Sequence, residues 1–92
     1  MASELVAVEG DKTELGGAAF KAPSADHKVK IGGKLAIRKD DSAEPEVDGR
    51  TNTQADEASG TVYIGGQKVH RNNDKRRHGP KTVATNSKVY CG

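Results

Sequence analysis

The chain has 92 residues, 33% of them apolar, with one Phe, two Tyr, no Trp, a single Cys and a formal net charge of +2. One cysteine makes no internal disulfide, no apolar run approaches the roughly 20 residues of a membrane-spanning helix, and eleven glycines without a sustained i, i+3, i+4, i+7 apolar pattern argue against helices. One small domain remains, with a thin core assembled from Val, Ile, Leu and Ala.

In chain order, Met1-Ala2-Ser3-Glu4 lacks the basic start and apolar stretch of a secretory signal. The sequence therefore predicts synthesis in a cytoplasm and, for any action outside the cell, a route other than general secretion. Val6-Ala7-Val8-Glu9-Gly10 follows as an extended run and leads into Asp11. Lys28-Val29-Lys30-Ile31-Gly32-Gly33-Lys34 then alternates apolar with polar residues up to a Gly pair, and the chain resumes from Lys34 to Arg38. Gly-Gly between two extended runs predicts a tight hairpin, whose turn needs positive φ.

The same segment recurs 33 residues later as Thr61-Val62-Tyr63-Ile64-Gly65-Gly66-Gln67, and begins a third time as Lys88-Val89-Tyr90-Cys91-Gly92. Arg38 corresponds to Arg71, Asp41 to Asp74, and Asp11 takes the same place in the first copy. The N-terminus thus supplies the second half of a hairpin whose first half comes from the C-terminus. The expected fold is all-β, a small body of short hairpins with pseudo-three-fold symmetry, closed by its own termini so that no strand edge is left open.

Between Asp41 and Ser59 almost nothing is apolar except Val47, so this stretch reads as a long mobile loop. Charge is distributed unevenly. From Asp40 to Gly60 seven acidic residues face one basic, Arg50 (−6), whereas from Gln67 to Gly92 seven basic face one acidic, Asp74 (+6). The two segments are expected to attract each other or to point at different neighbours.

Four residues carry metal-binding chemistry: His27, His70, His78 and Cys91. By count they fill a tetrahedral zinc site, but no CxxC or HxxxH spacing supports one. Cys91 falls on the Ile31/Ile64 register, which predicts an apolar slot. His70 takes the slot of Ile37 and is expected to face solvent, and His27 reads as a turn residue. His78, in a tight loop before Gly79-Pro80, is the metal candidate. Its counterpart is Leu15 before Gly16-Gly17, and such loops would converge at one end of the three-fold axis.

The serines (Ser3, Ser24, Ser42, Ser59, Ser87) lack a nucleophile-elbow context, and the Gly pairs do not lead into a phosphate-cradling helix. A non-enzymatic role is expected. Lys75-Arg76-Arg77-His78 is a basic cluster with no aromatic platform beside it, which leaves a small nucleic-acid-binding β-domain as the alternative.

These residues resemble the PAAR-repeat family, whose units run strand, Gly-rich turn, Pro-Ala-Ala-Arg, then Gly-Asp and a loop. Leu35-Ala36-Ile37-Arg38 and Lys68-Val69-His70-Arg71 stand at the tetrapeptide position without its Pro, and Gly10-Asp11 keeps the Gly-Asp. The resemblance covers nearly the whole chain. It implies a cone whose base docks, one copy per trimer, on a trimeric β-helical spike, and whose apex leads the spike into a target cell envelope.

It also implies a place at the baseplate tip of a phage tail, within the virion, or export by a type VI secretion system. A zinc or iron ion at the apex is implied too, with His78 at the matching loop position. Docking is expected at the strand ends around Val29, Ile31, Val62, Ile64, Val89 and Tyr90. Leu35 and Ile37, where the third copy has Lys68 and His70, are expected on a more apolar outer face, either touching the spike or lying under the acidic loop.

Overall fold

The computed structural model describes residues 4–22, 29–84 and 89–91, so His27 lies outside the described residues. Eight two-residue strands occur in order: β1 (Glu4–Leu5), β2 (Lys12–Thr13), β3 (Lys30–Ile31), β4 (Lys34–Leu35), β5 (Tyr63–Ile64), β6 (Gln67–Lys68), β7 (Thr82–Val83) and β8 (Tyr90–Cys91). No described residue is helical.

Three of the antiparallel pairs are the repeated hairpin. β3 pairs with β4 and β5 with β6. β8 pairs with β1, Glu4 opposite Cys91 and Leu5 opposite Tyr90, so the termini complete the third copy. The Gly pairs make the turns: φ is 58° and 82° at Gly32 and Gly33, and 56° and 84° at Gly65 and Gly66. Positive φ at both central residues matches the right-handed twist of the flanking strands, and glycine adopts it without steric penalty.

After each hairpin the chain makes a second turn, again in triplicate. The Asp11, Asp41 and Asp74 amides donate to the carbonyls of Val8, Arg38 and Arg71, each at 3.1 Å. Each Asp Oδ2 in return accepts the amide of the same partner, at 2.9, 2.7 and 2.9 Å. The residue before each Asp has positive φ: Gly10 at 89°, Asp40 at 71° and Asn73 at 70°. Asp and Asn tolerate that conformation better than other side chains, so the turn survives where glycine is missing.

A closed ring joins the three copies. The Ala7 amide donates to the His70 carbonyl (3.0 Å), the His70 amide to Ile37 (2.9 Å), and the Ile37 amide to Ala7 (2.9 Å). The bridges Val6↔Arg71, Arg38↔Val69 and Val8↔Ala36 run round the same circuit. A cyclic set of three bonds places one pseudo-three-fold axis through the molecule. The principal extents, 31 × 31 × 21 Å, have the two equal axes expected of such an arrangement.

Neighbouring residues of an extended chain point to opposite sides, so the ring separates two cores. On one side Val6, Ala36 and Val69 are buried, with Ile31, Val62, Ile64 and Cys91 packed against them. On the other lie Ala7, Phe20, Ile37 and Ala55, with Ala43 at the edge. Phe20, Ala55 and Thr82 are themselves equivalent, since their carbonyls accept from Gly10, Asp40 and Asn73 (2.9, 2.8 and 2.9 Å). Within each copy the two positions compensate in size: Ala7 with Phe20, Ile37 with Ala55, His70 with Thr82. The core is thus filled by different side chains on one repeated backbone.

Three expectations are corrected here. Ile37 is fully buried on the axis and forms no outer face; it packs with Ala55 and Ala43, under the acidic stretch as one of its two expected places had it, while Leu35, half-buried in β4, stands toward the surface. His70, expected in solvent, is fully buried at the equivalent place. The 41–59 stretch is no free loop, because Ala43 bridges Phe20, Ala55 bridges Arg76, and Glu46, Thr53, Ala55 and Ser59 are buried. Its small and polar residues fill the interior, the Glu46, Thr53 and Ser59 side chains each hydrogen-bonded, which a count of large apolar residues does not register.

Candidate functional site

The basal side of the ring carries the predicted docking residues. Ile31, Ile64 and Cys91 occupy equivalent strand positions and are half-buried against Val6, Ala36 and Val69, forming a triangle of apolar groups on the axis. Val29, Val62 and Val89 anchor its corners through their carbonyls, which accept from Ala36, Val69 and Val6 at 3.0, 3.0 and 2.8 Å. Val29 and Val89 also leave 44% and 48% of their surface exposed. Tyr90 is 63% exposed, and its equivalent Tyr63, absent from the predicted set, is 54% exposed. The third residue at that position is Lys30.

Arg38 and Arg71 brace this side. The Arg38 guanidinium donates to the Ile64 carbonyl of the next copy (3.4 Å). Arg71 holds Asp74 with two bonds of 3.0 Å, from Nε and Nη2. Burial pushes the Cys91 thiol above its ordinary pKa, partly opposed by Arg71, so it behaves as the small hydrophobe its register suggests.

Above the ring, the interior turns polar. Arg76 is 1% exposed. Its guanidinium donates to the carbonyls of Ala18 (2.7 Å) and Asp11 (3.2 Å) in the first copy, of Thr53 (3.1 Å) in the second, and to Thr82 Oγ1 (2.6 Å). It stacks 3.7 Å above the Phe20 ring. Burial pulls its pKa down to about 10, against the opposing fields of Glu46 and Asp11, which leaves it charged at neutral pH.

Thr82 passes the network on to His70. The Glu57 carbonyl, 2.6 Å from Nδ1, can only accept, so Nδ1 carries the proton; Nε2 then accepts from the Thr82 hydroxyl at 2.7 Å. Burial holds the His70 pKa down to about 4, so the ring is neutral under ordinary conditions. It packs edge-on against Phe20, with centroids 5.3 Å apart.

The apex is made by three matching turns, 13–17, 46–50 and 76–80. In each, the amide of the glycine at the fourth position donates to the first carbonyl: Gly16 to Thr13 (2.9 Å), Gly49 to Glu46 (2.9 Å) and Gly79 to Arg76 (3.0 Å). The third positions are Leu15, Asp48 and His78. His78 therefore stands where a metal ligand was expected, but its Nε2 donates to Glu46 Oε2 at 2.7 Å, and both side chains are fully covered.

Asp48 is engaged by Arg50 at 2.8 Å, and Leu15 offers no donor atom. Among the described residues no three His, Cys, Asp or Glu side chains come together to hold a metal. His78 Nδ1 is buried without a hydrogen-bond partner, so at the described part of the apex it is the nitrogen available to the zinc or iron ion that the resemblance implies.

The oppositely charged segments do meet: Arg77 pairs with Asp40 at 2.9 Å, His78 with Glu46, and the Lys75 amide donates to Glu57. Of the basic cluster, Arg76 and the His78 side chain are therefore interior, and Arg77 is held by Asp40.

Compared with known proteins, the chain matches no family model and no curated sequence.

Sequence reasoning missed Thr13, Glu46 and Arg76, the first residues of the three apical turns. The signal was present in Thr13-x-x-Gly16, Glu46-x-x-Gly49 and Arg76-x-x-Gly79. It was obscured because the second copy reaches its turn five residues after Asp41, whereas the others take two.

Proposed function

We propose that this protein is a structural tip that caps and sharpens a trimeric β-helical spike of a contractile injection machine, most simply a phage tail, with one copy per trimer. The reading rests on the resemblance to PAAR-repeat proteins and is carried by one observation. The closed ring Ala7–His70–Ile37 gives a single chain an axis with three equivalent edges, so three identical subunits can each meet the same backbone below it. The apolar triangle Ile31, Ile64 and Cys91 is the docking centre, ringed by Val29, Val89, Tyr63 and Tyr90. Leu35 is a peripheral contact.

The role is mechanical and asks for no catalytic residue. A force along the axis loads three equivalent paths of backbone hydrogen bonds at once, while the spike below supplies length. The test is co-migration of the purified protein with a trimeric β-helical spike protein from the same source. Binding is expected to persist at high salt, because the contact is apolar, and to be lost in Ile64→Glu, which places a charge in the triangle. Absence of a complex, combined with salt-dependent binding to DNA, would replace this reading by the nucleic-acid one.

A further inference from the structure

Three turns meeting on an axis need something at the meeting point. A cation with three ligands would require a lone-pair donor from each turn, and their third positions supply Leu15, which has none, the Arg50-bound Asp48, and His78, whose Nε2 is turned toward a carboxylate and whose Nδ1 alone is unpartnered. What lies between the turns is that carboxylate. Glu46 Oε2 accepts the Thr13 hydroxyl at 2.8 Å from the first turn and His78 Nε2 at 2.7 Å from the third; Glu46 Oε1 accepts the Val47 amide at 3.1 Å from its own turn. Each of the three turns contributes one donor.

The surroundings are fitted to the same group. Gly17 has no room for a side chain: a Cβ there would lie 2.5 Å from Glu46 Oε1 and 2.6 Å from the Val47 nitrogen. The buried Arg76 guanidinium begins the third turn and favours a negative charge here. Arg50 Nη1 adds an outer tie to the His78 carbonyl at 3.0 Å. Burial works to raise the Glu46 pKa, but the bonds from His78, Thr13 and the Val47 amide outweigh it and hold the group below the ordinary carboxylate value, hence ionised.

We propose that the apex is closed by the Glu46 carboxylate, an anion bound by one donor from each turn, in the structural position that a cation with three ligands would occupy. The polarity of the site is inverted: donors converge on a negative group that the chain itself provides. The closure needs no metal, and it stands or falls independently of what docks at the base.

The test uses the full chain, by elemental analysis, thermal melting with and without EDTA, and amide exchange. Zinc and iron are expected well below one atom per chain, with the same melting temperature in EDTA. Glu46→Gln, similar in shape but uncharged, is expected to lower the melting temperature on the order of 10 °C and to speed exchange at Val47, while Ala7, Ile37 and His70 stay protected. If Glu46→Gln does not fold, Thr13→Val removes one donor only and is expected to give a smaller fall. One zinc or iron per chain together with a lower melting temperature in EDTA would overturn the proposal. So would a Glu46→Gln or Thr13→Val variant that melts like the parent.

Discussion

The two sides of the backbone ring are built to different rules. On the basal side the packed positions of the three copies agree in chemistry as well as in backbone: Val6, Ala36 and Val69 sit over Ile31, Ile64 and Cys91, all small or medium apolar groups, and the copies differ at the exposed position of Lys30, Tyr63 and Tyr90. On the apical side only the backbone is repeated. Equivalent positions there hold Ala7, Ile37 and His70, then Phe20, Ala55 and Thr82, and the apical turns begin with Thr13, Glu46 and Arg76.

The difference teaches what secures the symmetry. The repeated bonds are between main-chain groups and between turn amides and Asp carboxylates. Other side chains can therefore diverge as long as their volumes compensate and their polar atoms find partners. On the proposed reading the basal face meets three identical subunits and has less freedom, because each copy would meet the same partner surface.

The contrast can be broken by removing what sets one copy apart. Arg76→Ala, which removes the side chain peculiar to the third copy, is expected to cost roughly 4 kcal/mol in urea unfolding. It removes four donated hydrogen bonds, leaves the Asp11 carbonyl with the Phe20 amide, and exposes Phe20 to a cavity.

Acid should reveal the same asymmetry. His70 is neutral and buried with a folded pKa of about 4 against 6.5 in the unfolded chain. Below pH 6.5 the unfolded state binds a proton that the folded state refuses. Stability should then fall from pH 6.5 to about 4, by roughly 3 kcal/mol, and this contribution should level off below. Glu46, whose folded pKa is depressed, stabilises above the ordinary carboxylate pKa of 4.5, and its contribution is lost as pH falls through its lower folded value. His70→Leu should flatten the first window and leave the second; equal acid sensitivity in that variant would count against the assignment.

The smallest effect belongs to the base. Cys91→Ile, which makes the triangle uniform, is expected to change stability by less than about 1 kcal/mol. A large loss would show that the basal copies are less alike than their packing indicates.

Much of the fold was legible because repetition marks it. The Gly pairs fixed the hairpin turns, the 33-residue spacing aligned Arg38 with Arg71 and Asp41 with Asp74, and the fragment at the C-terminus announced closure with the N-terminus. The same register sets Val29, Val62 and Val89 at matching strand ends and Tyr63 where Tyr90 stands.

The apical interior was not legible, for physical reasons. Burial of Arg76, His70 and Glu46 depends on partners supplied by Thr82, Ala18, Thr53 and Thr13, residues far apart in sequence and unremarkable by type. A histidine in an isoleucine slot looks like a surface change until a carbonyl and a hydroxyl are placed on its two nitrogens. Ile37 was expected at a partner face or under the acidic stretch, and it lies under that stretch, against Ala55 and Ala43. The acidic stretch looked mobile because its interior residues are Ala, Thr, Ser and one Glu.

The most direct test of the central claim is the mass of the complex with the spike under native conditions. One chain per three spike subunits is the expected result. Three chains per trimer, or one bound to an isolated spike subunit, would contradict the idea that a single polypeptide stands in for a three-fold object.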